Sequence, residues 1–245
     1  MLRLALSPST VRLGLALFAG LAAGCGAGEE DRSADAATLS PEALARPSRD
    51  AGAADPAPSI PADAAKVAFL GDSISAGLHL EPGQAFPAVV QRTLAAEGQP
   101  FQLVNAGVSG DTSAGGLRRL DWLLEQEPDV LVVELGGNDG LRGQPLAEIE
   151  ARLREIVQRA QAAGAQVLLL GVRLPPSLGA EYVGGFEAIY PRLAEELGCA
   201  LVPYFMEGTA GVPGQMLDDG IHPSAAGHAR LAENVAPALR DLLRR

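Results

Sequence analysis

Five apolar runs of strand length recur between residues 66 and 205, and this alternation restricts the chain to few folds. The runs are KVAFLG (66–71), FQLVNAG (101–107), DVLVVELGG (129–137), QVLLLGV (166–172) and ALVPYF (200–205). They are apolar throughout rather than alternately apolar and polar, as expected for strands that are covered by helices on both faces.

Segments with helical spacing separate these runs, and they span residues 84–97, 112–126, 145–163, 182–197 and 223–243. Strand–helix repetition of this kind predicts an α/β fold with a mostly parallel, five-stranded, doubly wound sheet. In such sheets the site lies outside the carboxyl ends of the strands. The residues directly after each apolar run are therefore the ones that carry functional information.

The first 24 residues predict an export signal. Arg3 and Arg12 are followed by an apolar run over residues 13–23 and then by Cys25. The run is shorter than the roughly 20 residues that a membrane-spanning helix needs, and its order of charge, apolar run and small residues is typical of a secretory signal. The residues before Cys25 resemble a bacterial lipobox, with Ala22 where that family usually has Leu. This resemblance implies lipidation of Cys25; a plain cleaved secretory signal is the alternative.

Residues 25–65 predict a disordered tether. They are rich in Ala, Pro, Ser, Asp and Gly and show no hydrophobic period. A flexible coil of about 40 residues reaches on the order of 35 Å. We therefore expect a globular domain over residues 66–245 that is exported and monomeric. It would lie at the periplasmic face of a bacterial membrane through a lipid at Cys25, its only membrane contact, or be periplasmic or secreted without that lipid.

Charge and composition exclude several classes of function. The formal net charge is −11, which argues against a nucleic-acid partner, since phosphate neutralisation needs clustered Lys and Arg. Only three histidines are present, and none has carboxylates at ligand spacing, so we expect neither a catalytic metal nor another cofactor. No Gly-Lys-Ser/Thr follows a strand, which excludes a phosphate-binding P-loop.

The first strand ends in GDSISAG, residues 71–77. Gly71 permits a tight turn that places Ser73 at the N-terminus of the next helix, where free N–H groups and the helix dipole favour negative charge. The alternative is that Asp72 or Ser73 merely caps that helix. The G-x-S-x-G elbow of the common α/β-hydrolases is absent.

Two further strand ends offer hydrogen-bond donors. The loop NAGVSGDTSAGG, residues 105–116, either caps the next helix or presents a backbone N–H to a ligand. In ELGGNDG, residues 134–140, Asn138 could supply a side-chain donor, and an ordinary Asn–Asp–Gly turn is the alternative.

The stretch DDGIHPSAAGH, residues 218–228, contains two of the three histidines. Asp219 and His222 are three residues apart around Gly220, so the carboxylate can bond one imidazole nitrogen and leave the other free as a base. Pro223 suits the first turn of the last helix. Together the strand ends supply a hydroxyl, a histidine, a carboxylate and oxyanion donors, which is the set needed for acyl transfer through a serine ester.

Three neighbouring residues are not expected to take part in the chemistry. We predict that Asp218 is a loop residue and that His228 is a surface or hydrogen-bonded helix residue. His79 has no orienting acid apart from Glu81, and we predict that it is an exposed loop residue.

Four ordered motifs resemble those of the SGNH (GDSL) hydrolase family. They are GDSIS with Ser73, VSGDTS with Gly110, GGND with Asn138, and DGIHP with Asp219 and His222. Longer stretches such as RLPPSLG and AIYPRLAEELG look like the TesA-type thioesterase, lysophospholipase and arylesterase branch. The resemblance implies a flavodoxin-like three-layer α/β/α sandwich.

The same resemblance implies roles for these residues. Ser73 is the expected nucleophile, His222 its base and Asp219 the orienting acid, while Gly110 and Asn138 join the Ser73 N–H in an oxyanion hole. The implied substrates are small acyl esters, among them lysophospholipids, aryl esters and acyl thioesters.

The acyl-binding surface has weaker support in the sequence. In the TesA-type branch the loop after the fourth strand borders the acyl groove, which makes Leu174 and Pro175 candidate substrate contacts. A connection merely stiffened by proline is the alternative. Two other functions stay open: an esterase of the same fold acting on acetylated glycans, and a catalytically silent binding lipoprotein.

Overall fold

The structure, a computed structural model, describes residues 59–244 and contains one parallel sheet. The predicted signal, Cys25 and residues 25–58 of the predicted tether lie outside the described residues. The strands are β1 (Lys66–Gly71), β2 (Gln102–Gly107), β3 (Val130–Glu134), β4 (Gln166–Leu170) and β5 (Ala200–Val202). Every pairing is parallel and the order is β2-β1-β3-β4-β5. This is the flavodoxin-like order, which confirms the predicted fold class.

Helices cover both faces of the sheet and complete a three-layer sandwich. They are α1 (Ser73–Ala76), α2 (Phe86–Ala96), α3 (Ser113–Leu124), α4 (Gly137–Leu141), α5 (Leu146–Ala162), α6 (Ala180–Glu187), α7 (Ile189–Leu197) and α8 (Ala225–Leu243). Helix α2 packs against α8, whereas α3 packs against α5 and α5 against α7. Each group also contacts the strands, so the apolar runs of the sheet are buried between two helical layers.

The core explains why the central strands carry no polar alternation. Strands β1, β3 and β4 are almost entirely buried, while the edge strands β2 and β5 keep partial exposure. Phe86 of α2 packs edge-on against Phe69 of β1, with ring centroids 5.6 Å apart, and also meets Phe205 at 5.8 Å. Burial of each such side chain contributes roughly 1.5–3 kcal/mol to the free energy of unfolding.

The chain enters the sheet at β1, and the residues just before β1 lie beside the amino end of β2. The Gln102 side chain donates to the carbonyls of Ala62 at 2.6 Å and Ala64 at 3.2 Å, and the Gln102 N–H donates to the Ala65 carbonyl at 2.8 Å. Because all strands are parallel, this point of entry lies at the edge opposite the carboxyl ends of the strands.

The predicted helix over residues 182–197 is in fact two helices, α6 and α7, with the break at Ala188. Pro191 lies in the first turn of α7, and a proline ring clashes with the carbonyl four residues earlier in a continuous helix. That carbonyl belongs to Glu187, the last residue of α6. A proline two turns into the predicted segment therefore divides it.

The last helix begins at Ala225, so the prediction that Pro223 lies in its first turn was wrong. Ser224 is the N-cap, and its hydroxyl accepts the Gly227 N–H at 3.2 Å. Pro223 instead forms an isolated antiparallel bridge with Met216. Serine satisfies a free helix N–H and proline cannot, which explains the later start.

The buried His228 makes the stability of the fold sensitive to acid. Its side chain is 1% exposed, its Nδ1 accepts the Phe86 N–H at 3.0 Å, and burial lowers its pKa to about 4. An unfolded chain protonates histidine near pH 6.5, so between these values the unfolded state binds more protons. The contribution of His228 to the free energy of unfolding is therefore complete above pH 6.5, and about 3 kcal/mol of it should be lost as the pH falls to 4.

Urea unfolding between pH 4 and 7 measures this loss. His228→Gln keeps an acceptor for the Phe86 N–H but has no basic ring. As the pH falls from 7 to 4, the wild type should therefore lose about 3 kcal/mol more of its free energy of unfolding than His228→Gln does. His79 is exposed, and His79→Gln should follow the wild type. His228→Gln and the wild type share all other ionisable groups. If their free energies of unfolding changed equally with pH, the acid sensitivity could not be assigned to His228.

Candidate active site

The carboxyl ends of the strands border a cleft of about 420 Å³, within the roughly 300–1,000 Å³ range of small-molecule sites. Most of its lining residues are apolar, and Ser73 and His222 line it as well. The apolar wall consists of Ile74, Leu141, Val172, Leu174, Pro175, Pro176, Met206, Ala210, Met216 and Ile221.

Ser73 is the first residue of α1, directly after the turn that ends β1. The Asp72 side chain caps this helix by accepting the Ile74 N–H at 3.0 Å. A Cβ on Gly71 would lie 2.0 Å from the Ser75 Oγ, so the turn requires glycine there. The Ser73 side chain is 7% exposed, and its N–H donates to no residue in the described part of the chain.

A hydrogen-bonded chain joins Ser73 to the last loop of the protein. The Ser73 Oγ lies 2.9 Å from His222 Nε2, and His222 Nδ1 lies 2.6 Å from the Asp219 Oδ2. Because the carboxylate can only accept, Nδ1 carries the proton and Nε2 is free to accept the hydroxyl proton of Ser73. The structure therefore brings together the three residues that the sequence predicted as a triad.

The backbone around Asp219 keeps this carboxylate ionised. Its Oδ1 accepts the N–H groups of Ile221 and His222, both at 2.9 Å. These bonds and the bond to the His222 ring hold the pKa of Asp219 well below its usual range. The acid is therefore an anion throughout the pH range in which the protein would be assayed.

A tight hairpin carries Asp219 and His222. The Leu217 N–H donates to the His222 carbonyl at 2.8 Å, and the Ser224 N–H donates to the Gln215 carbonyl at 2.9 Å. Gly220 at the tip has φ of 66°, a left-handed conformation that glycine adopts without strain. The hairpin and the cap of α8 thus fix the imidazole against the end of β1.

Asn138 reaches the cleft from the other side, in the short helix α4. The sequence left open an ordinary turn here; the structure has a helical turn whose N-cap, Gly136, has φ of 109°. A Cβ at Gly136 would lie 2.5 Å from the Tyr190 hydroxyl. The Asn138 Nδ2 donates to the Asp72 Oδ2 at 2.9 Å, which leaves its second N–H for a ligand.

Gly110 lies in the loop after β2, with φ of 77°. Its carbonyl accepts a hydrogen bond from Arg142 at 3.0 Å, and its N–H has no acceptor among the described residues. Strand β2 is the neighbour of β1, so this loop borders the Ser73 turn. Gly110 is nevertheless not among the residues that line the cleft, unlike Ser73 and Asn138.

A buried acid beneath the Ser73 turn was not predicted from the sequence. Glu134 at the end of β3 is 1% exposed, and its Oε2 accepts the Asp72 N–H at 3.1 Å, the Ser75 N–H at 3.2 Å and the Ser75 hydroxyl at 2.7 Å. Its Oε1 has no partner in the described chain. Burial and the nearby Asp72 raise the pKa of Glu134 well above its usual range, and burial also raises that of Asp72. The sequence did contain one indication of a buried acid here, because Glu134 is the only charged residue inside the apolar run VLVVELGG.

A second buried acid supports the helix that carries Asn138. Asp139 is 1% exposed and accepts both the Ser113 N–H at 2.7 Å and the Ser113 hydroxyl at 2.6 Å. Ser113 is the first residue of α3, so this pair joins the N-termini of α3 and α4. Asn138 is therefore positioned by its own bond to Asp72 and by the bonds between its neighbour Asp139 and Ser113.

The remaining predicted positions are placed as follows. Leu174 and Pro175 both line the cleft, Leu174 buried against Gly140 and Pro175 exposed. Asp218 and His79 are exposed and do not line it. His228 is the buried, hydrogen-bonded helix residue that was one of its two predicted environments.

Residues 59–244 contain neither a candidate metal site nor a membrane-spanning helix. No group of three His, Cys, Asp or Glu side chains in this range could hold a metal ion. None of its helices is long and apolar enough to cross a bilayer.

The parallel sheet and the Ser–His–Asp chain at its carboxyl edge, with the serine at a helix N-terminus, form an arrangement typical of a serine hydrolase. The profile of the GDSL-like Lipase/Acylhydrolase family matches residues 69–230. The chain belongs to this family, and it is a serine esterase.

Relatives and solved structures agree with this assignment. Esterase TesA of Pseudomonas aeruginosa is 51% identical over 71% of this chain and 87% of its own length. Thioesterase 1/protease 1/lysophospholipase L1 of Escherichia coli K12 is 44% identical over 71% of this chain and 83% of its own. A crystal structure of the psychrotrophic esterase EstA from Pseudoalteromonas sp., inhibited by monoethylphosphonate, is 34% identical with a TM-score of 0.70, covering 74% of this chain and 99% of that one.

Proposed function

We propose that the esterase works through a covalent acyl-enzyme. The Ser73 Oγ attacks the ester carbonyl while its proton passes to His222 Nε2, and Asp219 stabilises the imidazolium that forms. Collapse of the tetrahedral intermediate breaks the bond to the leaving alcohol or thiol, which takes the proton from His222. Water then repeats the sequence and releases the carboxylic acid. The observation that carries this proposal is the continuous 2.9 Å and 2.6 Å contact from Ser73 through His222 to Asp219.

The proposed oxyanion hole consists of the Ser73 N–H, the Gly110 N–H and the free N–H of Asn138. Support comes from the absence of an acceptor for either backbone N–H in the described chain and from the Asp72 bond that orients the Asn138 amide. Losing one such donor typically costs about 3–4 kcal/mol of transition-state stabilisation.

The proposed substrates are single-chain acyl esters, including lysophospholipids and aryl esters, with acyl thioesters as a related class. An apolar wall running from Leu174 and Pro175 to Met216 gives an alkyl chain a surface to bury. The names of the similar proteins, esterase and thioesterase/lysophospholipase, favour the same classes.

For residues outside the described range the proposal follows the sequence alone. We propose an exported monomer that is anchored by a lipid at Cys25 and separated from the membrane by the tether over residues 25–65. Its partners would be small acyl substrates and, through Cys25, the bilayer.

A fluorophosphonate probe and a series of p-nitrophenyl esters test the proposal. We expect the probe to label the wild type and not Ser73→Ala, and we expect kcat/KM to rise from acetyl to octanoyl as the chain buries more of the apolar wall, by up to about 0.8 kcal/mol per methylene. Folded wild-type protein that takes no label would indicate a silent binding protein. Activity on acetyl esters with none at octanoyl length would instead indicate an acetyl-glycan esterase.

A further inference from the structure

Arg173 is the one lysine or arginine that lines the cleft in the described chain. It lies three residues after the end of β4 and is exposed beside Leu174 and Pro175, which also line the cleft. The cleft is also lined by Tyr204, by His222 and by the carboxyls of Asp72 and Glu134, and the last three already have hydrogen-bond partners. Arg173 is thus a fixed positive charge on an otherwise largely apolar surface.

The charge of Arg173 is not neutralised within the protein. No carboxylate of the described residues lies within 4.0 Å of its guanidinium, and its side chain donates no hydrogen bond there. Seven other arginines do have a carboxylate partner; they are Arg119, Arg152, Arg154, Arg159, Arg192, Arg230 and Arg240. In a chain with a formal net charge of −11, an arginine left without an acid is available to a ligand.

Tyr204 holds the guanidinium in place. The Arg173 Cζ lies 4.4 Å from the centroid of the Tyr204 ring, which is a cation–π stack. The stack occupies the face of the guanidinium and leaves the N–H groups on its edge free, so part of the side-chain entropy is already lost before a ligand binds. Burial raises the pKa of Tyr204, Arg173 opposes that rise, and Glu187 and Glu207 add to it. Both glutamates nevertheless lie beyond the 4.0 Å ion-pair distance of Arg173.

We propose that Arg173 binds an anionic group, phosphate or carboxylate, on the leaving-group side of the acyl ester. A guanidinium edge matches such groups with two parallel N–H···O bonds. The acyl chain takes the apolar wall, so an anion in the same cleft belongs to the polar end of the substrate. The enzyme therefore selects amphiphiles with a charged head over neutral esters of the same chain. This inference rests on the proposed esterase function and names its substrate class.

Matched esters separate the head group from the chain. The substrates are 1-lauroylglycerol, 1-lauroylglycerol 3-phosphate and 1-lauroylglycerol 3-hemisuccinate, each below its critical micelle concentration. They share one acyl chain and one ester, and they differ in the absence of an anion, a phosphate or a carboxylate. Comparison of the two charged esters shows which anion the subsite prefers.

For wild type we expect kcat/KM for a charged ester to exceed that for the neutral ester by about tenfold or more. In Arg173→Gln this ratio should fall by roughly 10–100-fold, mainly through KM of the charged ester. Arg173→Lys should restore part of the ratio, because it keeps the charge without the bidentate edge. The ratio should also shrink in 1 M salt.

Arg92→Gln is the matched control, since it removes one arginine charge from α2 outside the cleft and should keep the wild-type ratio. An equal loss on charged and neutral esters in Arg173→Gln would mean that Arg173 only packs against Tyr204, and the inference would be overturned. A wild type that prefers the neutral ester would overturn it too. Fluorophosphonate labelling of every variant separates this failure from failure of the esterase function, in which the wild type itself takes no label.

Discussion

Replacing Ser73 with alanine is expected to lower kcat for p-nitrophenyl octanoate by about 10⁴-fold or more, with little change in KM. The substitution removes the oxygen that would bond to the substrate, and no other hydroxyl lies within hydrogen-bond distance of His222 Nε2 in the described chain. In serine hydrolases that lack the nucleophile, a residual acceleration of roughly 10³–10⁴-fold over water comes from the oxyanion hole and binding alone. Steady-state kinetics on purified protein, with the uncatalysed rate subtracted, measure the loss.

The fold should tolerate this change. The cap of α1 is the Asp72 side chain, and the anchor below it is Glu134, so neither depends on the Ser73 hydroxyl. Alanine is a good helix former at the first position of α1. The control is therefore an unchanged urea midpoint, and a Ser73→Ala protein that is folded and retains a tenth of wild-type activity would show that the nucleophile lies elsewhere.

The sequence was sufficient for the sheet because its signal is long and redundant. Each central strand is a nearly continuous apolar run, and a helical segment of more than two turns follows each run along the chain. The parallel fold and its functional edge can therefore be predicted without any tertiary information. The two helix boundaries that were predicted wrongly are both marked by a residue in the sequence. Pro191 marks the break between α6 and α7, and Ser224 marks the start of α8.

The supporting network could not be predicted in the same way, because its bonds join residues far apart in the chain. Asp72 meets Asn138 across 66 residues and Glu134 across 62. The type and spacing of these residues predict caps and turns equally well. Only the close approach of β1 and β3 in the sheet makes Asp72 both the cap of α1 and the group that orients the proposed oxyanion donor.

The pairing of Ser73 with His222 was predictable although these residues, like those of the supporting network, are far apart in the chain. They are 149 residues apart, and no periodicity links them. Their pairing was predictable because both follow strands whose carboxyl ends share one edge, and because the ordered motifs resemble one family. Gly110 lies in a motif that resembles the family's glycine block, but it does not line the cleft. Its proposed role as an oxyanion donor therefore rests on that resemblance and on its N–H, which has no acceptor in the described chain.

Changing Asp219 to asparagine is expected to reduce kcat by about 10⁴-fold while leaving KM nearly unchanged. The structure explains the size of the effect. The Oδ1 of Asp219 is held by two backbone N–H groups at 2.9 Å, so an amide must keep its oxygen there and point its NH₂ at His222 Nδ1. Nδ1 then has to accept, the ring proton moves to Nε2, and the imidazole donates to Ser73 instead of taking its proton.

Asp218→Asn provides the matched control, because it removes the same charge one residue away. Asp218 is exposed and has no hydrogen bond to the imidazole in the described chain, so we expect its kcat to stay within about twofold of wild type. Equal losses in the two variants would mean that negative charge near His222 matters and the tautomer does not. A large loss in Asp219→Asn alone, with an unchanged urea midpoint, would assign the effect to the position of one proton on the His222 ring.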